Sequence, residues 1–125
     1  ALEHGVARSG GEDAEPGRFP QVSGLSFVFD ASKPAGARVS EIEIGGVPLD
    51  ENKTYTLATS DFLVSRGGDG YEMFKNAKVL LDAASAPKDS ELLERAIREA
   101  KTIAPTVEGR ITKINAGGAA KGDCP

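Results

Sequence analysis

Apolar and polar positions first fall into a regular pattern at Leu25, where Leu25, Phe27 and Phe29 alternate with Ser26, Val28 and Asp30. A period of two with aromatic enrichment predicts a strand. Asp30-Ala31-Ser32-Lys33-Pro34-Ala35-Gly36 then supplies turn chemistry. A second strand is predicted over residues 38–44, with Ser40, Ile42 and Ile44 on one face, and Gly45-Gly46 is a tight-hairpin signal. Pro48 lacks the N–H that a central ladder needs, which confines it to an edge or the turn. A third strand is predicted over residues 54–59, where Tyr55, Leu57 and Thr59 share a side.

Gly67-Gly68-Asp69-Gly70 breaks the chain, and residues 71–75 read as a helical turn or two. Val79-Leu80-Leu81 reads as a short buried strand. Leu92, Leu93, Ala96, Ile97, Ala100 and Ile103 recur at helical spacing, predicting a helix capped by Asp89 or Ser90 and stopped by Pro105. Glu91–Arg95 and Glu94–Arg98 are i,i+4 pairs in the favourable order on that helix. A last strand is predicted over residues 107–114, and residues 115–125 form a Gly- and Ala-rich tail without pattern. Residues 1–8 read as the end of a helix already under way, followed by a small, acidic loop over residues 9–17. That opening leads us to expect a fragment of a longer chain, truncated at its N-terminal side.

Strands and helices are interspersed without regular alternation, which points to an α+β fold, a mixed β-sheet packed with helices. At 125 residues the chain suits one domain, and 39% hydrophobic residues allow a core without disulfides or metals. The expected division is a domain over residues 1–114 and a flexible tail over 115–125. A net charge of −4 argues against a partner with a nucleic-acid backbone, because that binding needs phosphates neutralised. A free nucleotide needs only a few placed groups. No stretch approaches the ~18 apolar residues of a membrane span, so no membrane partner is expected.

The chemistry is defined first by what is missing. The one histidine, His4, has neither a Cys neighbour nor a second His, and reads as a surface or boundary residue. The one cysteine, Cys124, can form neither an internal disulfide nor a zinc site by itself. No cofactor is therefore expected on this chain. Glu12, Asp13 and Glu15 lie in the acidic loop, where solvation explains them.

The informative stretch is Ser60-Asp61-Phe62-Leu63-Val64-Ser65-Arg66-Gly67-Gly68-Asp69-Gly70-Tyr71. Gly67, Gly68 and Gly70 permit positive φ and close approach by a ligand. Asp69, set between glycines, could accept two hydrogen bonds from a vicinal diol such as ribose offers, and Phe62 could lend a flat face to a base. The competing reading is a plain Gly-rich turn, with Asp69 bonding its own backbone and Phe62 in the core. No Lys-Ser or Lys-Thr follows the glycines, so this is not a Walker loop. Tyr71, Met73 and Phe74 read as its brace, and Phe19 as core or scaffold.

Four runs in order carry a resemblance: residues 17–25 (GRFPQVSGL), residues 55–63 (YTLATSDFL), Gly67-Gly68-Asp69-Gly70-Tyr71, and residues 105–111 (PTVEGRI). Together they resemble the 5'-nucleotidase C-terminal domain, over about residues 1–114. The resemblance implies a substrate-binding part of secreted or periplasmic two-domain hydrolases that release nucleoside and phosphate from nucleotides. It implies a separate N-terminal metallophosphoesterase domain carrying two divalent metal ions and the catalytic residues, so this chain alone should be inactive. It makes Phe62 one of two aromatic plates sandwiching the base and Asp69 the ribose ligand, with Gly67 and Gly68 shaping the loop between them. Arg66 lengthens that loop by one residue relative to the family's usual spacing, and the other plate and an Asn/Arg-bearing glycine loop belong upstream of residue 1. The alternative is a non-catalytic extracellular binding module of the same fold with an unused glycine loop.

Overall fold

The computed structural model describes residues 1–10 and 14–114. The elements are helix α1 (Leu2–Val6), strands β1 (Leu25–Asp30), β2 (Val39–Ile44) and β3 (Val47–Pro48), helices α2 (Asp61–Arg66) and α3 (Asp89–Ala100), and strand β4 (Ile111–Ile114). Short 3₁₀ turns cover Pro16–Arg18, Gly68–Gly70 and Glu72–Phe74. The chain divides into two compact units, one of Ala1–Thr54 with the chain from Glu108 onward, the other Tyr55–Val107.

The first unit holds one four-stranded sheet in the order β3-β2-β1-β4. β1 pairs antiparallel with β2 and parallel with β4, so the sheet is mixed and the expected α+β class holds. Phe27 and Phe29 on β1 are buried with Val6 of α1, and Phe19 packs on Phe29 with ring centroids 5.6 Å apart. Phe19 is therefore scaffold, as expected. Helix α1 is tied to the sheet at both ends. The Glu3 carboxylate accepts the backbone N–H groups of Val39 and Arg38 at 2.7 and 3.1 Å, and Arg38 Nη1 donates to the carbonyls of Val6 and Ala7, each at 2.8 Å. Those carbonyls lie at the end of α1, where backbone acceptors lack intrahelical donors.

The β2 pattern differs from simple alternation. Ser26 pairs with Glu43 and Val28 with Ser40, so three steps on β2 answer two on β1. Glu41 takes a positive φ of 50°. This bulge turns Val39 and Ile42 toward the core together and leaves Ser40 exposed, which corrects its predicted place beside Ile42 and Ile44. The hairpin signal holds: Ile44 pairs with Val47 across Gly45 and Gly46, whose φ values of 61° and 77° are both positive, as a type I′ turn requires. Pro48 lies on the edge strand, where its missing N–H costs no ladder bond.

Three strand expectations fail. Residues 54–59 and 79–81 form no strand, and the expected strand over residues 107–114 shrinks to β4, with Val107 99% exposed. Alternation marks a chain suited to a ladder, but a strand exists only where a neighbour supplies the other half of each hydrogen bond. Among the described residues only the four strands of the sheet do so.

In the second unit, α3 forms as its spacing predicts, and Arg98 pairs with Glu94 at 2.5 Å. Its N-cap is Lys88 rather than Asp89 or Ser90, and it ends at Ala100, short of Pro105. Leu92, Leu93 and Ile97 on its stripe remain exposed. The tail over residues 115–125, Cys124, and the loop acids Glu12 and Asp13 lie outside the described residues. No helix of the described residues is long and apolar enough to cross a membrane.

Candidate functional site

Helix α2 starts after Ser60 and ends where Gly67 enters the left-handed region, φ 59° and ψ 35°. Gly67 N–H donates to the Phe62 carbonyl, closing the end of the helix. A 3₁₀ turn over Gly68–Gly70 follows, with Gly70 N–H on the Gly67 carbonyl and Tyr71 N–H on the Gly68 carbonyl, both at 3.1 Å. Asp69 sits within this turn at φ 52°, ψ 22°. Asp is among the few side chains that tolerate this region, because its carboxylate can bond locally.

The four residues singled out thus share one corner. Gly67 and Gly68 are buried, while Asp69 is exposed and Phe62 is 47% exposed. The competing reading of Phe62 as a core residue is corrected: an aromatic side chain on α2 stands half in solvent. A side chain is disfavoured at both positions, at Gly67 by its left-handed φ of 59° and at Gly68 by the Phe62 ring. A Cβ at Gly67 would meet Glu72 Oε1 at 2.7 Å, and one at Gly68 would fall onto the Phe62 ring, inside the 3.0 Å that real Cβ atoms respect. Glu72 and Lys75 form an ion pair beside Gly67.

The brace is narrower than the sequence suggests. Tyr71 is 5% exposed and stacks on Phe74, ring centroids 5.7 Å apart and planes 5° from parallel, whereas Met73 is exposed. A buried tyrosine directly after the glycines anchors the corner to its own unit. Among the described residues no three or more His, Cys, Asp or Glu gather into a group able to hold a metal. The described residues therefore offer no fit to the divalent ions that the sequence resemblance implies. An open depression lined by Ala7, Arg8, Gly10, Ala14 and Glu15 lies in the first unit and includes none of the four site residues.

Likeness over most of the chain shows the family to which it belongs. A sequence model of the family described as "5'-nucleotidase, C-terminal domain" matches residues 1–76, and the chain belongs to that family. A 5'-nucleotidase of Diplobatis ommata is 34% identical over 89% of this chain and 20% of its own length. A snake venom 5'-nucleotidase of Macrovipera lebetinus is 34% identical over 92% of this chain and 29% of its own. The crystal structure of a 5'-nucleotidase precursor from Thermus thermophilus superposes with a TM-score of 0.81 at 38% identity, covering 94% of this chain and 23% of that one. The chain thus spans between a fifth and a third of the length of these relatives. It is a domain related to nucleotidases, with a fold that matches part of a much longer hydrolase.

Proposed function

We propose that the chain recognises the nucleoside part of a nucleotide for a 5'-nucleotidase-type phosphohydrolase, with the base on Phe62 and the ribose hydroxyls on Asp69. The observation that carries this reading is the half-exposed Phe62 ring standing on a buried glycine corner next to an exposed carboxylate. Water makes an exposed aromatic face unfavourable, and a purine covers it with a flat surface of matching size. A carboxylate can accept from two adjacent hydroxyls at once, the pair of donors that a ribose diol offers. Gly67 and Gly68 give the corner its shape. The chain binds and orients, while the bond cleavage belongs to a metallophosphoesterase domain with two divalent ions elsewhere in a longer polypeptide. The venom relative and the family resemblance support a periplasmic or extracellular setting. Residues 1–114 act as the domain unit in this reading, and residues 115–125 as a tail.

Magnitudes set the affinity. Stacking on one aromatic face contributes about 1–3 kcal/mol, hydrogen bonds to a carboxylate about 1.5–3 kcal/mol each at best, and lost translation and rotation offset several of these. The balance is a dissociation constant near ~1 mM. Titration of AMP into the isotopically labelled chain tests it: saturable amide shifts centred on residues 61–71 are expected, and no AMP turnover with Zn²⁺, Mn²⁺ or Mg²⁺ added. Saturable shifts confined to other residues, or none, would replace this reading with that of a non-catalytic interaction module. Sustained turnover would overturn the division of labour.

A further inference from the structure

Gly68 does more than bend the chain. A Cβ built on it would lie at nearly equal distances from three adjacent carbons of the Phe62 ring, Cδ1, Cε1 and Cζ. Near-equality to three neighbours in a hexagon places that carbon over the ring's face, not beyond its edge. One face of Phe62 therefore rests on the bare Cα of Gly68, while the residue as a whole is 47% exposed. The backbone of Phe62 is held to the same corner, since its carbonyl accepts the Gly67 N–H. Side chain and main chain of one residue are thus fixed to two consecutive glycines.

We propose that Gly68 is a positioning residue: it seats the Phe62 ring so that one fixed face is offered to the base, and a side chain at position 68 would lift the ring out of line. This rests on the reading of Phe62 as the base-stacking group. The seat also makes the ring a rigid plate, so base stacking does not first have to immobilise a free rotor.

A wild-type measurement and a mutant cycle test the seat. The Gly68 Hα resonances should be shifted upfield by the ring current of Phe62, should return to ordinary values in Phe62→Ala, and should keep their upfield shift when the wild-type chain is saturated with AMP. Gly68→Ala should weaken AMP binding about tenfold, the loss of most of one stacking contact. In the Phe62→Ala background the same substitution should change the dissociation constant less than about twofold, because a residue acting only through its neighbour has nothing left to act on. Equal losses in both backgrounds, wild-type affinity in Gly68→Ala, or an upfield shift that disappears as AMP binds would each overturn the seat. If Gly68→Ala does not fold, the wild-type Hα shift with and without AMP decides alone. Failure of the underlying reading looks different: the wild-type chain then shows no AMP shifts at residues 61–71, whatever the Gly68 resonances do.

Discussion

Asp69→Asn separates the carboxylate from the backbone that carries it. Asp69 sits at φ 52°, a region that Asn occupies as readily as Asp, so the turn should survive the change. Shape and size are nearly conserved, and what goes is the charge and one acceptor. A hydrogen bond to a charged group contributes about 1.5–3 kcal/mol in sheltered settings. For an exposed side chain the net loss should be nearer ~1–2 kcal/mol, or about 5- to 30-fold in the dissociation constant. General electrostatics pushes the other way. AMP is an anion and the chain carries a net charge of −4, so deleting one negative charge should by itself favour binding slightly. A loss against that trend identifies a specific contact. The assay is amide shift mapping with AMP and 2'-deoxy-AMP on both proteins. The wild type should prefer the ribose ligand several-fold, and the variant should have lost most of that preference. Asp69→Asn binding within about twofold of wild type, or discriminating the two sugars as well as wild type, would refute the assignment of Asp69 to the ribose.

The other expectations test packing and titration away from the glycine corner. Phe27 is 1% exposed at the centre of the first unit, and Phe27→Ala should lower stability by about 3–5 kcal/mol in urea unfolding; a loss below about 1 kcal/mol would mean that the core is elsewhere. Asp82 accepts the Ser85 backbone N–H at 2.8 Å, which with the Ser85 hydroxyl holds its carboxyl below the ordinary 3.8. A carboxylate lowered on folding lends stability above its unfolded value, and that contribution disappears as pH falls through the folded value. The carboxyl carbon of Asp82 should therefore titrate below 3.8, and Ser85→Ala should raise its midpoint part of the way while the backbone donor persists. Titration at or above 3.8 in the wild type would count against the turn.

What could be read from the chain in advance follows the range of the forces involved. β1 was legible because its apolar positions share one face, with Phe27 and Phe29 both buried, although Asp30 on the opposite parity is buried as well. The Gly45-Gly46 hairpin and the α3 helix were legible for the same reason, since a turn type and a helical stripe are written within a few residues. β2 was only half legible: the spacing of Val39, Ile42 and Ile44 carries its bulge, but Ser40 preserves an apparent alternation that the pairing with β1 breaks. Residues 54–59 have the composition of a strand, and nothing in their own pattern states whether a partner edge exists.

The candidate site divides along the same line. The positive φ of Gly67 and Gly70, and the exposure of a carboxylate between glycines, are properties of a handful of adjacent residues and were visible, whereas Gly68 takes no positive φ. That Phe62 escapes the core was not, because an aromatic residue one position into a helix has equal claims to either side. Its contact with Gly68 spans six positions across the end of α2, and it arises only once the left-handed turn at Gly67 brings the chain back under the ring. The glycine was conspicuous as a break in the sequence; its partner became identifiable only when the missing Cβ was seen to be space already filled. The Phe62 ring and Gly68 meet within one corner, so mutagenesis should address the two positions together rather than either alone.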